Sequence, residues 1–243
     1  INSYLFQTNM LGGELMEDFS GLFSLPNEEF SEKLSAKKDE MLALLSHSEI
    51  EDKKFKALEE ARIGYRMKDL EFNYPHYNAM LAGENYTPTG EDLAFLNELD
   101  FNNYSHIVIG EYIQMIKNYL RMIEWKRMVE MGGWDISTID RLTLYYNDID
   151  SLISQPSVAN LLKSEFIQST LEFSDVEMAD SLVNIFIANS CSELYWEKAK
   201  ETKARRMLLA AGQPAPEFTL TSIDGDTYSL GDFKGKLVYL DFW

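Results

Sequence analysis

The chain has 243 residues, 45% hydrophobic and 26% charged, with a formal net charge of −18. Its 14 Phe, 13 Tyr and 4 Trp supply enough apolar surface for a real core, which excludes a chain disordered throughout. The excess of acid repels phosphate backbones, so no nucleic-acid partner is expected, and such a surface is ordinarily a solubility feature.

Residues 1–25 are mixed in pattern, and Gly12-Gly13 and Gly21 are expected to break any long helix there. A helical texture then holds to about residue 209. Pro26-Asn27-Glu28-Glu29 reads as a helix start, with Asn27 the cap and the two glutamates at the positive end of the dipole. Phe30, Leu34, Met41, Leu44 and Leu45 form its apolar face. A second helix from about Ser48 carries Phe55, Leu58, Ile63, Met67 and Leu70, and is expected to end at Tyr74-Pro75. Thr87 to Asp92 reads as a turn into a short helix capped by Thr89.

From Asn103 to Met131 the stripe Ile109, Ile113, Ile116, Leu120 and Ile123 is widened by Tyr112, Tyr119 and Met128. That width predicts burial on more than one side, with Gly132-Gly133 as the stop. Ser137-x-x-Asp140 and Ser174-x-x-Glu177 are capping-box patterns, and Gln155-Pro156-Ser157 places proline in the first turn of a helix. A last helix is expected over Asp175–Leu209. It is apolar through Ala179, Leu182, Val183, Phe186 and Ile187, and basic at Lys198, Lys200, Lys203, Arg205 and Arg206. Six to eight helices are expected in all, with no repeat of fixed period.

Few residues in this helical region suggest chemistry. Cys191 is the only cysteine, so neither an intramolecular disulfide nor a Cys-x-x-Cys exists within the chain. The spacing Val183, Ile187, Cys191, Leu194 places it on the buried stripe as an inert thiol. His47, His76 and His106 stand far apart in sequence, so no metal site is expected, and nothing implies a cofactor. Phe72-Asn73-Tyr74-Pro75-His76-Tyr77 and Tyr86 read as packing at the end of a helix pair, or else as an exposed aromatic loop for a partner. Asp148, Asp150, Glu59 and Glu60 read as helix-surface acids. No apolar run approaches the roughly 18–20 residues of a membrane span. The start at Ile1 is expected to follow removal of a targeting segment or to be internal to a longer chain.

At Gly212 the pattern changes. Gly212-Gln213-Pro214-Ala215-Pro216 cannot continue a helix. Phe218-Thr219-Leu220-Thr221 alternates as a half-buried strand does, Asp224-Gly225 is a hairpin signal, and Tyr228 and Leu230 lie on the return. Lys236 to Trp243 is a dense apolar run of the kind a covered central strand needs.

In order and spacing, these pieces resemble the opening of TlpA-like and peroxiredoxin-like thioredoxin domains. The matching residues are Gly212-x-Pro214-Ala215-Pro216-x-Phe218-x-Leu220, Asp224-Gly225, Ser229-Leu230-x-Asp232-Phe233-Lys234-Gly235-Lys236 and Val238-Tyr239-Leu240-Asp241-Phe242-Trp243. The ending Asp241-Phe242-Trp243 resembles the TlpA-like branch, in which Trp-Cys-x-x-Cys follows. The resemblance covers about an eighth of the chain. A long helical region ahead of such a domain resembles envelope proteins of the Bacteroidetes type.

The helical pattern predicts a mainly α chain with a helical domain over residues 1–209, and the resemblance implies that residues 212–243 are the first part of a thioredoxin-like domain, a hairpin plus its first central strand. It implies a periplasmic or envelope thiol-disulfide oxidoreductase acting on protein or peptide disulfides. The redox cysteines would lie just after Trp243, so no catalytic residue lies within the chain and the chain alone would be inactive. The helical region would dock partners or substrates. The competing expectation is a helical binding module joined to a peroxiredoxin-like or cysteine-less thioredoxin-like domain. An isolated strand stub also invites self-association through its open edges.

Overall fold

A computed structural model describes residues 1–87, 89, 99–132, 136–239 and 241. The chain is 71% helical, and the one sheet among the described residues is a two-stranded antiparallel hairpin, so the fold is mainly α as expected. Two units pack separately, Ile1–Lys163 and Ser164–Trp243.

The first unit holds α1 (Asn2–Glu17), α2 (Phe19–Phe23), α3 (Asn27–His47), α4 (Lys53–Ala82), α5 (Gly110–Glu130), α6 (Thr138–Leu152) and the start of α7 (Pro156–Phe173). Helix α1 packs on α3, α3 on α4, α4 on α5 and α5 on α6. Leu22, Phe23, Phe30, Leu34, Met41 and Ile63 anchor one core cluster, and Phe72, Met115, Tyr119 and Met122 a second. The α5 stripe is buried through Tyr112, Ile113, Ile116 and Leu120, on more than one side as expected, and Gly132 at φ 82° ends the helical run.

Several local expectations fail for identifiable reasons. Gly12-Gly13 does not break α1. Gly12 is buried where a Cβ would overlap the Arg66 guanidinium, so glycine permits the close approach of α4. Asn27 is the first helical residue of α3 rather than its cap; Pro26 stands at the boundary, and its carbonyl accepts the Phe30 N–H at 2.9 Å. Helix α4 starts later than Ser48, because the Asp52 carboxylate accepts the N–H groups of Lys54 and Phe55 at 2.9 and 3.1 Å.

Helix α4 also runs through Pro75 to a left-handed Gly83. An interior proline costs about 3 kcal/mol, but tertiary contacts grip both sides of it. The Tyr74 hydroxyl donates to Leu25 O at 2.7 Å, Asn78 Nδ2 donates to Phe23 O at 2.8 Å, and Tyr77 lies on Phe19 and Phe23. The aromatic run is therefore helical core packing and not a loop. The short helix expected after Thr89 lies outside the described residues.

Two starts form as the pattern predicts. Ser137 Oγ accepts the Asp140 N–H at 3.1 Å at the head of α6, and Pro156 opens α7 with Gln155 Oε1 accepting the Ser157 N–H at 3.1 Å.

In the second unit the expected long helix is divided. Val176–Met178 is a 3₁₀ turn, and Ser174-x-x-Glu177 forms no capping box; Asp175 stands at the boundary without a side-chain cap. Helices α8 (Ala179–Ala188) and α9 (Glu193–Leu208) follow, which brings the described α-helices to nine. The break at Asn189-Ser190-Cys191-Ser192 has a local cause. Asn189 Nδ2 donates back to Ile185 O at 2.8 Å, and Trp196 Nε1 donates to Ser190 O at 3.1 Å. Short polar side chains compete with the helix for its own backbone groups.

Strands β1 (Thr219–Thr221) and β2 (Thr227–Ser229) pair antiparallel, with Leu220 opposite Tyr228 and Gly225 at φ 89° in the turn. A 3₁₀ turn, Leu230–Phe233, follows under a capping box between Ser229 and Asp232. The hairpin forms where expected but is not half-buried: Leu220 and Tyr228 are exposed. Leu237 and Tyr239 are exposed as well, and residues 237–239 join no strand among those described. A central strand needs a neighbour on each edge and a covering layer, and none is present here among the described residues. Leu240, Phe242 and Trp243 lie outside the described set.

Gly13 offers a direct check on α1, since it is exposed and a Cβ there meets nothing within 4 Å. Gly13→Ala should raise stability by about 0.5–1 kcal/mol through helix propensity, read as a higher urea midpoint. Gly12→Ala should show little of that gain, because it displaces Arg66.

Candidate functional site

The densest set of polar and titratable side chains lies between α4 and α5. Arg62 is held by Glu59 one turn before it, at 2.8–3.0 Å, and by Glu111 of α5 at 3.0 Å. Glu59 is buried and also accepts the Tyr4 hydroxyl of α1 at 3.2 Å. Burial by itself would lower the Arg62 guanidinium, but its bonds to Glu59 and Glu111 outweigh this and leave it raised. Arg66, one turn on, is lowered by burial, and Arg62 adds to the effect against the pull of Glu111.

Further along, Asp69 Oδ1 accepts Asn118 Nδ2 at 2.6 Å and Asn73 Nδ2 at 3.2 Å, while Gln114 Nε2 donates to Asn118 Oδ1 at 2.9 Å. Burial raises the Asp69 carboxyl above its usual range, against the two amide bonds and the field of Arg121. At the far end His76 meets the Trp125 ring edge-on at 4.9 Å.

The contacts Arg62–Glu111 and Asp69–Asn118 each join positions 49 residues apart, and His76–Trp125 has the same separation. A constant separation means that α4 and α5 run parallel, with a polar or aromatic layer every second turn. The sequence reading missed this. The usable signal was the seven-residue spacing of Arg62, Asp69 and His76 against Glu111, Asn118 and Trp125.

Other expected residues are placed differently. Asp148 accepts both Arg127 Nη groups at 2.9 and 2.6 Å, and Asp150 pairs with Lys163 at 2.6 Å. Of the carboxylates read as surface acids, Glu59 is core and two others are ion-paired. Within the second unit the basic run of α9 is engaged: Lys203 pairs with Asp180, Arg205 with Glu172, and Arg206 donates to Ser174 O at 2.8 Å. Cys191 is exposed, contrary to the buried position that a continuous helix implies, because the break before α9 shifts the helical phase.

A cleft of about 660 Å³ opens where Tyr4 and Gln7 of α1 face Leu44, His47 and the turn at Glu49–Asp52. Among the described residues no group of His, Cys, Asp or Glu is arranged to hold a metal, and no helix is long and apolar enough to cross a membrane. The α4–α5 layers bind one another and present no nucleophile with a base. No protein-family model, curated protein or solved structure matches the chain.

Two outcomes follow. Cys191 in the folded chain should react stoichiometrically with an aromatic disulfide reagent at neutral pH without denaturant; protection until unfolding would contradict its exposure. Asp69, raised in the fold, favours the protonated form, so its contribution to stability is full below its ordinary range and declines as pH rises through the raised value. Asp69→Asn keeps an acceptor oxygen and cannot ionise. Its urea midpoint should gain on the natural chain as pH rises from about 4 to 8; a gap that does not change with pH would contradict this.

Proposed function

We propose that the chain belongs to a thiol-disulfide oxidoreductase of the periplasm or cell envelope, in which a helical module precedes a thioredoxin-like domain. The observation that carries this reading is the ordered set of motifs over Gly212–Trp243. The hairpin at Thr219–Ser229 agrees with it, as does the Ser229–Asp232 box, in which Asp232 Oδ2 accepts the Ser229 N–H at 2.7 Å.

In this reading a Cys-x-x-Cys follows Trp243 at a helix N-terminus, where the dipole and backbone N–H groups favour a thiolate. The thiolate attacks a protein or peptide disulfide, and the second cysteine resolves the mixed disulfide. The helical module docks the partner, and the open edges of the hairpin give the isolated segment a route to self-association.

Reading the natural coding sequence beyond Trp243, then assaying both products for dithiothreitol-driven reduction of insulin, tests the reading. Trp-Cys-x-x-Cys is expected, with activity in the longer product and none in residues 1–243. A single later cysteine would turn the assignment to peroxide reduction, and no cysteine to a binding role.

A further inference from the structure

The three histidines are the side chains whose ordinary titration lies near neutrality, and their surroundings differ. His47 Nδ1 lies 2.7 Å from Ala43 O at the exposed end of α3. His106 Nδ1 lies 2.7 Å from the Tyr65 hydroxyl. His76 Nδ1 is buried and meets no hydrogen-bond partner.

Rings pack against the half-buried imidazole instead. Trp125 of α5 stands at 4.9 Å, Tyr77 of α4 at 5.2 Å, and Tyr86, from the chain after α4, at 5.8 Å. Trp125 and Tyr86 also meet each other at 5.8 Å, so the half-buried rings of His76, Tyr86 and Trp125 form a mutual three-ring cluster. Among the described residues, the titratable groups in ring contact with His76 are the phenols of Tyr77 and Tyr86, and the ring contact from α5 is the neutral indole of Trp125. No charged side chain among the described residues acts on the ring. Burial alone holds its basicity below the ordinary value of 6.5.

We propose that His76 is a proton-operated latch on the C-terminal end of the α4–α5 pair: neutral, it completes the ring cluster with Tyr86 and Trp125; protonated, it drives that cluster open. An imidazolium carries two N–H donors. Protonation would leave the Nδ1–H, now part of a cation, among aromatic carbons with no acceptor.

The opening is confined for structural reasons. Pro75 has already removed one backbone bond from α4 just before His76, so parting the last turns breaks one fewer helix bond, although it must also release Asn78 from Phe23 O and Tyr77 from Phe19 and Phe23. The Arg62 guanidinium, raised by its bonds to Glu59 and Glu111, stays charged throughout this range. The Asp69 layer responds in the opposite sense, since acid supplies the proton that its burial favours. Acid therefore loosens one end of the helix pair while the other end holds.

The sign follows from linkage. His76 is depressed in the fold, so below about pH 6.5 the open form binds more protons, and opening grows as pH falls toward the folded value. While the closed ring resists the proton, the opening constant should rise by up to about tenfold per pH unit.

The test is amide hydrogen exchange on the intact chain, corrected for intrinsic rates, from roughly pH 7.5 to 5. Protection at Tyr77–Ala82 should fall in the natural chain, whereas protection around Leu34 in α3 should hold. His76→Phe and His76→Gln should each abolish the local fall. The imidazole C–H resonance of His76 should titrate with a midpoint below the ordinary value of 6.5. Unchanged protection in the natural chain, the same fall in a folded variant, or a His76 midpoint at or above the ordinary value of 6.5 would overturn the latch. If neither variant folds, the natural chain's exchange profile and histidine titration decide.

Discussion

The parallel pairing of α4 with α5 is the constraint on which the first unit depends. Its polar layers make the register costly to change. If either helix slid by one turn, Arg62 would leave Glu111 and Asp69 would leave Asn118, stranding buried charge and amide groups without partners. Apolar layers alone tolerate such slips better, because one aliphatic side chain substitutes for another at small cost. The same polar groups extend outward. Glu59 ties α1 through Tyr4, and the Arg66 guanidinium sits on Gly12, so α1 is referenced to the same helix face. Because α4 and α5 run the same way, the ends of the 83–109 connection lie at opposite ends of the pair.

A second set of contacts works around Pro75. Tyr74 and Asn78 reach the carbonyls of Leu25 and Phe23, which the turn between α2 and α3 leaves unpaired. A residue that should end a helix thus sits within one because the neighbouring turns carry the contacts that fix α2 and α3. The weak point in the backbone ladder and the strongest side-chain anchoring coincide, and the ring cluster of His76 begins immediately beyond them.

The helical module and the terminal hairpin present different chemistry. In the helices, acids that look like surface charge are drawn into pairs, and the one thiol is exposed rather than buried. The hairpin exposes Leu220, Ile223 and Tyr228 to solvent, and Leu237 beyond it is exposed as well.

What the sequence determined by itself was local: the mainly α character, the stripes of α3 and α5, the Ser137 start, the proline at the head of α7 and the Asp224-Gly225 hairpin. Each follows from interactions within a few residues, which composition and spacing encode directly. What only the tertiary structure decided was every point where a distant partner outweighed a local preference. The Arg66 guanidinium explains why Gly12 sits in a helix, and contacts to α2 and its turn carry α4 through Pro75. The break at Asn189–Ser192 moved Cys191 off the buried stripe, because a helical phase is legible only while the helix is unbroken. The 49-residue offset that brings Arg62, Asp69 and His76 to Glu111, Asn118 and Trp125 was not legible locally. A parallel pairing is set by where a long connection returns, and the local pattern carries no record of that.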